Sequence, residues 1–195
     1  MFGWVSAKDK RKAPLLKPAA GQRVAIFAGG CFWCMQPPFD KTVGVVSTTV
    51  GFVGGNEVDP QYDDVARGKT GHTEAIYVIF EPKQVSYEKL LEVYWRNIDP
   101  TDKHGQFVDR GSQYRPGIFY LNAEQRRIAV RSRDALARSG RFSKPIAVEI
   151  SAAGRFWPAE NYHQKFYKKD PTRYYSYRRG SGRDAFIARS WGDKH

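Results

Sequence analysis

Apolar residues along the chain fall into short runs that glycine, proline and polar residues separate. Continuous or alternating apolar runs bounded in this way are typical of β-strands. On this basis the sequence predicts five strands, at residues 24–28, 45–53, 73–80, 117–121 and 145–151.

Helical periodicity behind an N-capping residue marks two further segments. Ser86 precedes the apolar stripe in 87–97, and Asn122 precedes 123–138. Both residue types accept a hydrogen bond from the first turn of a helix. A third, short helix is predicted over 183–190.

A helix is also predicted to begin at Cys31, directly after the first strand. Pro37 and Pro38 lie inside it, and proline lacks the amide donor that a helix interior needs. We therefore expect the two prolines to limit this helix to a turn or to start a second segment. Residues 54–72 and 99–116 lack periodicity and are predicted to be long connections.

The predicted order of elements is β-α-β-β-α-β, followed by α-β and a tail. This is the order of the split βαβ, ferredoxin-like plait. The predicted fold class is therefore α+β, a two-layer α/β sandwich with added helices and an irregular C-terminal tail. Residues 1–22 are polar and are predicted to be an N-terminal extension, and residues 23–195 a single catalytic domain.

Composition and charge exclude several protein classes. The 195 residues, 41% hydrophobic and 27% charged, are ordinary for one globular domain. No apolar run approaches the roughly 18 residues of a membrane span. The basic N-terminus lacks the apolar segment of a secretory signal, which predicts a cytoplasmic protein, although a signal already removed would leave the same pattern. The net charge of +12 predicts attraction to polyanions, and its dispersal indicates a solvated surface.

Two cysteines carry the candidate chemistry. Cys31 follows the pair Gly29-Gly30 and opens a helix, where unpaired amides and the helix dipole favour a thiolate. The i, i+3 spacing places Cys34 on the same side of the helix, so the pair could form a disulfide. The alternatives are two structural cysteines, or half of a zinc site, for which the four histidines supply no second ligand pair.

Six stretches together resemble the peptide methionine sulfoxide reductase A family. They occur in the family's order and cover roughly residues 24–165. The stretches are Ala28-Gly29-Gly30-Cys31-Phe32-Trp33-Cys34, Gly51-Phe52-Val53-Gly54-Gly55, Pro60-Gln61-Tyr62, Gly71-His72-Thr73-Glu74-Ala75, Asp109-Arg110-Gly111-Ser112-Gln113-Tyr114-Arg115 and Ala159-Glu160-Asn161-Tyr162-His163-Gln164.

The resemblance implies thiol-dependent reduction of methionine sulfoxide, free or in oxidised proteins, with preference for the S epimer. Such an enzyme repairs proteins during oxidative stress, and no cofactor or metal is expected. Cys31 would attack the sulfoxide sulfur and Glu74 would protonate its oxygen. Asp109 would orient the surroundings of Cys31 or the leaving water.

The resemblance also implies a set of substrate-binding residues. Phe32 and Trp33 would hold the S-methyl group of the substrate. Tyr62 and Tyr114 would donate hydrogen bonds to the sulfoxide oxygen.

The chemistry of a sulfoxide agrees with an acid at this site. Its oxygen is a poor leaving group until it is protonated, and a carboxyl kept neutral by an apolar environment can supply the proton. Glu74 lies in an otherwise apolar strand. On the residues alone a surface strand carboxylate is the commoner case for such a position, and Glu57, Asp59 and Asp109 remain candidates beside it.

Two positions depart from the family pattern. Gln36 stands where many members have Glu, which puts in doubt any electrostatic role of that position. Many members carry a resolving cysteine in a C-terminal tail, whereas this chain has no cysteine after Cys34. Cys34 is therefore the predicted resolving partner of a Cys31 sulfenic acid. An external dithiol donor, expected to be thioredoxin, would reduce the disulfide, and a monomer is expected.

Two other functions fit parts of the sequence. A Cys-x-x-Cys at a helix start is also typical of thioredoxin-type oxidoreductases, but that function leaves the downstream motifs without a role. Interleaved tyrosine and arginine over 174–179 suit single-stranded nucleic acid, but they do not explain the cysteine pair. We therefore expect no specific nucleic-acid partner and no membrane association.

Overall fold

The structure, a computed structural model, describes residues 10–192 of the chain. Within this range it contains eight β-strands. They are β1 (Arg23–Ala28), β2 (Val45–Val53), β3 (Thr73–Phe80), β4 (Gly105–Gln106), β5 (Asp109–Arg110), β6 (Gly117–Tyr120), β7 (Glu149–Ala152) and β8 (Trp157–Pro158).

Six of these strands form one sheet, in the order β7-β6-β1-β3-β2-β8. The four central strands run antiparallel to one another in the order β6-β1-β3-β2. At the edge, β7 pairs with β6 in parallel. This central order is that of the ferredoxin-like plait, so the predicted α+β fold class is confirmed. The strands β4 and β5 form a separate hairpin.

Seven α-helices accompany the sheet in the described range. They are α1 (Phe32–Asp40), α2 (Tyr62–Ala66), α3 (Tyr87–Trp95), α4 (Ala123–Arg138), α5 (Phe166–Lys169), α6 (Pro171–Gly180) and α7 (Arg183–Trp191). None of these helices combines the length and apolar character that crossing a bilayer requires.

The main core lies between one face of the sheet and the helices α1, α3 and α4. The ring of Phe27 on β1 stacks 5.3 Å from that of Phe39 on α1 and 5.1 Å from that of Tyr94 on α3. Burial of such a side chain contributes about 1.5–3 kcal/mol. This packing fixes α1, and with it the cysteine pair, over the sheet.

The predicted helix caps are confirmed. The Ser86 side chain accepts a hydrogen bond from the amide of Lys89 at 3.1 Å. The Asn122 side chain accepts one from the amide of Gln125 at 2.9 Å. These bonds satisfy donors that a helix start leaves unpaired, and α3 and α4 begin at the predicted residues.

The prediction that Pro37 and Pro38 limit the first helix is wrong, because α1 continues through both to Asp40. The two prolines remove the helical donors for the carbonyls of Trp33 and Cys34. At Cys34 a side chain replaces the lost donor, since Nη1 of Arg178 donates to its carbonyl oxygen at 3.2 Å. A contact with a distant helix thus compensates a local defect.

Both predicted loops contain regular structure, and the tail is not irregular. The helix α2 lies within 54–72, and the hairpin β4–β5 within 99–116. The fifth predicted strand, 145–151, is shorter and later, as β7. The C-terminal region forms α5, α6 and α7 because aromatic residues of α5 and α6 bury against Cys34. That packing is tertiary and leaves no local periodicity.

Part of the predicted N-terminal extension lies along the domain. The amide of Ala13 donates to the carbonyl of Ala159 at 3.1 Å, and the amide of Asn161 donates to the carbonyl of Arg11 at 2.8 Å. Lys12, between them, lies 3.5 Å from a carboxylate oxygen of Glu160. Residues 11–13 therefore pair with the segment 159–161.

Candidate active site

Cys31 stands at the junction of β1 and α1, at the N-cap of the helix. The chain reaches it through Gly30, whose φ of +76° is a conformation that favours glycine. A Cβ at this position would lie 2.5 Å from Cβ of Gln106. Cys31 is 8% exposed and Cys34 is fully buried, and both are free thiols.

Glu74 lies beneath the start of α1. Strand alternation puts it on the same face of β3 as Ile76 and Val78, where it is 2% exposed. Its carboxyl accepts a hydrogen bond from the amide of Phe32 at 2.9 Å. Burial raises the pKa of Glu74 well above its ordinary value, and the amide hydrogen bond only partly opposes this. The raised pKa favours the protonated carboxyl, the form that can act as an acid.

A small cavity of about 80 Å³ brings the site residues together. It contains all but one of the residues that the sequence singled out, together with one that it did not. The lining residues are Cys31, Phe32, Trp33, Tyr62, Glu74, Asp109, Tyr114 and Tyr177. Cys34 is outside this lining.

Two tyrosines reach the cavity from the connections between strands. Tyr62 begins α2, and Tyr114 ends a short 3₁₀ turn after β5. Burial raises the pKa of both phenols, and the nearby Glu74 adds to the effect. Both hydroxyls therefore stay protonated and can donate hydrogen bonds to an oxygen in the cavity.

Aromatic contacts fix the apolar wall of the cavity. The ring of Trp33 stacks 3.8 Å from that of Phe166 on α5, and its indole N–H donates to Nδ1 of His163 at 3.0 Å. The ring of Phe32 lies 5.9 Å from that of Phe52 on β2. These contacts fix both rings, so the wall offers a rigid apolar surface that a methyl group can contact.

Asp109 enters the cavity from β5, held by a residue that the sequence analysis missed. The hydroxyl of Tyr177 on α6 donates a hydrogen bond to the Asp109 carboxylate. Burial raises the pKa of Asp109, while this hydrogen bond and the charge of Arg183 lower it. The i, i+3 spacing of Tyr174 and Tyr177 indicates that both lie on one helix face. The same tyrosines also suit nucleic-acid binding, and that interpretation hid their role at the site. Tyr174 is buried.

The cavity thus brings together a thiol, a buried carboxyl whose pKa is raised, hydroxyl donors and an apolar wall. A family model described as peptide methionine sulfoxide reductase matches residues 23–195. The chain belongs to this family. The reductase is therefore an oxidoreductase that acts on methionine sulfoxide, as the resemblance implied.

Relatives and solved structures agree with the assignment. A protein of Listeria innocua named peptide methionine sulfoxide reductase MsrA is 56% identical over 167 residues, which cover 86% of this chain and 94% of that protein. The reduced form of Mxr1 from Saccharomyces cerevisiae superposes with a TM-score of 0.75 at 27% identity, over 80% of this chain and 90% of that one. Mxr1 in complex with Trx2 shares the fold, with a TM-score of 0.55 at 19% identity over 77% of this chain and 89% of that one.

The two thiols of the reductase differ in proton affinity. Burial raises the pKa of Cys31, and the hydrogen bond with Cys34 and the nearby Glu74 and Asp109 raise it further. The expectation that the helix start makes Cys31 the thiolate is therefore wrong for this resting conformation. The hydrogen bond from Cys31 is the largest of the effects that lower the pKa of Cys34 to about 7.

The remaining candidates have other places. Glu57 and Asp59 are exposed on the loop before α2, so Glu74 is the buried acid among the alternatives. His72 accepts from the amide of Gly55 at 3.1 Å and holds that loop.

Gln36 uses both ends of its amide. Its Nε2 donates to the hydroxyl of Thr48 at 3.0 Å, and its Oε1 accepts from the amide of Lys165 at 2.8 Å. A glutamate would lack the donor for Thr48, so glutamine suits this buried position.

Proposed function

We propose that the reductase converts methionine-S-sulfoxide, free or in oxidised proteins, to methionine by a cycle that uses only its two cysteines. Cys31 takes the oxygen atom as a sulfenic acid, Cys34 resolves it as a disulfide, and thioredoxin reduces the disulfide. The observation that carries the proposal is the buried carboxyl of Glu74, whose pKa burial raises, in the same 80 Å³ cavity as the Cys31 thiol.

The first step moves one oxygen between two sulfurs. The sulfur of Cys31 bonds to the substrate sulfur as the S–O bond of the sulfoxide breaks, and the oxygen leaves as water with one proton from Glu74 and one from the thiol. Water then attacks the sulfur of Cys31, the S–S bond breaks to release the thioether, and the proton that water loses returns to the carboxylate. The net change is thiol plus sulfoxide to sulfenic acid plus thioether, which balances without added electrons. Tyr62 and Tyr114, protonated as their raised pKa values require, stabilise the charge that develops on the oxygen.

The arrangement of the cavity supports a preference for one epimer. The methyl group contacts the wall of Phe32 and Trp33, the oxygen faces Glu74, and Cys31 approaches the remaining side of the sulfur. The third substituent of the sulfur, the rest of the methionine, must leave through the cavity opening. With all four directions assigned, the mirror-image sulfoxide would place its oxygen on the apolar wall.

The second step joins the two cysteines. Cys34 lies one helical turn from Cys31, and the amide of Cys34 donates to the carbonyl of Cys31 at 3.0 Å. A thiol with a pKa of about 7 is substantially ionised at neutral pH and suits attack on a sulfenic acid. Thioredoxin is proposed as the donor because disulfides of this kind exchange with dithiols, and because Mxr1 has been solved in complex with Trx2. Monomeric state and cytoplasmic location stay predictions.

A single-turnover assay without donor tests the cycle. We expect wild type and Cys34→Ser each to form one methionine per protein from the S epimer, and Cys31→Ser to form none. Since the chain has two cysteines, wild type should lose both free thiols and Cys34→Ser should lose its one thiol to a trappable sulfenic acid. The R epimer is the matched control for the substrate.

Each arm can contradict a separate part of the proposal. Methionine formation by Cys31→Ser would remove Cys31 as the nucleophile. Unchanged thioredoxin-driven turnover in Cys34→Ser would show that Cys34 does not resolve the sulfenic acid. Equal rates with both epimers would refute the assigned directions of the substrate.

A further inference from the structure

Two arginines of the C-terminal helices bind the two ends of the segment that holds the cysteines. Nη2 of Arg183 on α7 donates to the carbonyl of Gly29 at 3.0 Å, just before Cys31. Nη1 of Arg178 on α6 donates to the carbonyl of Cys34 at 3.2 Å. Neither contact has a role in the proposed cycle so far.

Arg183 is a buried cation, and its burial is unfavourable for the stability of the fold. The residue is 1% exposed, and among residues 10–192 no carboxylate lies within 4.0 Å of it. Its guanidinium donates to backbone carbonyls of Gly29 and Asn97 and lies 4.6 Å from the ring centre of Phe107. Burying a cation without an ionic partner is unfavourable, and an apolar side chain of equal volume would avoid that cost.

Arg178 occupies a position that the sequence of α1 leaves open. The helical donor for the carbonyl of Cys34 would be the amide of residue 38, and Pro38 has none. Arg178 supplies the missing donor, and its other face pairs with Asp184 at 2.7 Å. Because Pro38 donates no hydrogen bond, the carbonyl of Cys34 accepts one from the cationic side chain of Arg178.

We propose that Arg178 and Arg183 are positioning residues that hold Cys34 as the attacking thiolate of the resolving step. This inference rests on the proposed function of Cys34. In that step the Cys34 thiolate attacks the sulfur of the Cys31 sulfenic acid, so the S–S bond forms as the S–O bond breaks. Hydroxide leaves and takes up a proton as water, the sulfur of Cys31 is reduced, and that of Cys34 is oxidised.

The charges around Cys34 agree with this assignment. The hydrogen bond from Cys31 lowers the pKa of Cys34 most, and the charges of Arg183 and Arg178 lower it further. Burial and the charge of Asp109 raise it. Glu74 is the other carboxyl beside the pair, and burial raises its pKa, which favours its uncharged form. Cys34 also packs against Tyr174 of α6, whose pKa burial raises to about 12, so this phenol carries no charge.

The first test is the titration of Cys34 in a Cys31→Ser background, where the serine hydroxyl still offers a hydrogen bond. The thiolate is followed by its ultraviolet absorbance against pH. We expect Arg178→Met to raise the midpoint by about half to one pH unit and Arg178→Lys, which keeps the charge, to restore most of it. Arg179→Met is the matched control, because it removes an exposed charge from the same helix.

The second test is the rate of disulfide formation at pH 7 after one equivalent of methionine sulfoxide. We expect Arg178→Met to slow it about 2–6-fold, in line with the titration, with an unchanged yield of methionine. Arg183→Lys, which keeps the charge but can replace only part of the carbonyl bonding, should lower the melting temperature and leave the midpoint of Cys34 in place.

Three results would overturn the inference. The first is an unchanged pH midpoint of Cys34 in Arg178→Met, and the second is an equal shift of that midpoint in Arg179→Met. The third is a midpoint in Arg178→Lys that is shifted as far as in Arg178→Met. Failure of the proposed function has a different signature, because the wild-type protein would then keep the Cys34 thiol free after making methionine. The titration would still report whether the arginines act on Cys34.

Discussion

The two cysteines lie one helical turn apart in opposite electrostatic surroundings. Burial, the hydrogen bond with Cys34 and the nearby Glu74 and Asp109 raise the pKa of the Cys31 thiol. Cys34 lies outside the cavity lining, and the hydrogen bond from Cys31 together with the charges of Arg183 and Arg178 favours its ionised form. Two thiols one helical turn apart thus have pKa values shifted in opposite directions, upward at Cys31 and downward at Cys34.

The difference divides the proposed chemistry into two halves. Reduction of a sulfoxide needs protons delivered to oxygen, which the Glu74 side can supply. Resolution of a sulfenic acid needs a thiolate, which the arginine side provides. Raising the pH should therefore slow the first half and speed the second, and this opposition can be tested on either side separately.

The largest expected effect is that of Glu74→Gln. The amide cannot donate the proton, so single-turnover methionine formation should fall about 10²–10⁴-fold. In wild type this rate should fall as the pH rises through the raised pKa of Glu74, since only the protonated carboxyl acts as the acid. That limb should be absent in the variant. An unaltered pH profile would exclude Glu74 as the proton donor.

The free energy of unfolding is the control for this variant. A carboxyl whose pKa is raised in the folded state stabilises the fold fully below its unfolded pKa, and that stabilisation is lost as the pH rises through the folded pKa. Glu74→Gln should therefore be at least as stable as wild type at pH 8, with the gap closing toward pH 4. Activity lost through misfolding would show the reverse.

The next effect concerns the other cysteine and is a pH dependence. Disulfide formation should rise about tenfold between pH 6 and pH 8, because the fraction of Cys34 thiolate increases through its pKa of about 7. Rapid mixing with methionine sulfoxide followed by thiol counting measures it. A rate independent of pH in this range would contradict an ionised Cys34.

A smaller effect is expected for Tyr177→Phe, which removes the hydroxyl bound to Asp109. Loss of one such hydrogen bond, worth about 1 kcal/mol, should slow methionine formation about 3–10-fold. It should also raise the pKa of Asp109, because that hydrogen bond lowers it. Tyr175→Phe, on an exposed tyrosine of the same helix, is the matched control, and equal losses in both would refute the role.

The smallest effect is one on stability. Gly30→Ala places a Cβ 2.5 Å from Gln106 at a φ of +76°, so we expect it to lower the free energy of unfolding by about 1–2 kcal/mol. Chemical denaturation measures this. Gly140→Ala is the matched comparison, since a Cβ there meets nothing within 4 Å at a similar φ of +69°. An equal loss of stability in both variants would show that the positive φ alone, and not the contact with Gln106, causes the loss in Gly30→Ala.

The parts of the molecule that the sequence predicted are those with local signals. The central plait follows from alternation and from caps such as Ser86 and Asn122, and most of the cavity follows from the motifs around Cys31 and Glu74. The spacing of Tyr174 and Tyr177 indicates one helix face but not the residues it packs against, and the continuity of α1 has no local signal. Both depend on α6 packing against α1, and a contact between residues more than 140 positions apart leaves no periodicity in either segment.

The pairing of residues 11–13 with 159–161 has a consequence for how shortened forms of this protein behave. Glu160, which lies beside Lys12, also accepts the amide of the cavity residue Tyr62 at 3.1 Å. The family match begins at residue 23, so a protein trimmed to that boundary keeps every family motif and loses the cation next to this junction. Such a truncation should bind substrate less well while keeping all the residues that touch it. The start of the family match at residue 23 would then exclude a residue, Lys12, that supports the substrate-binding cavity.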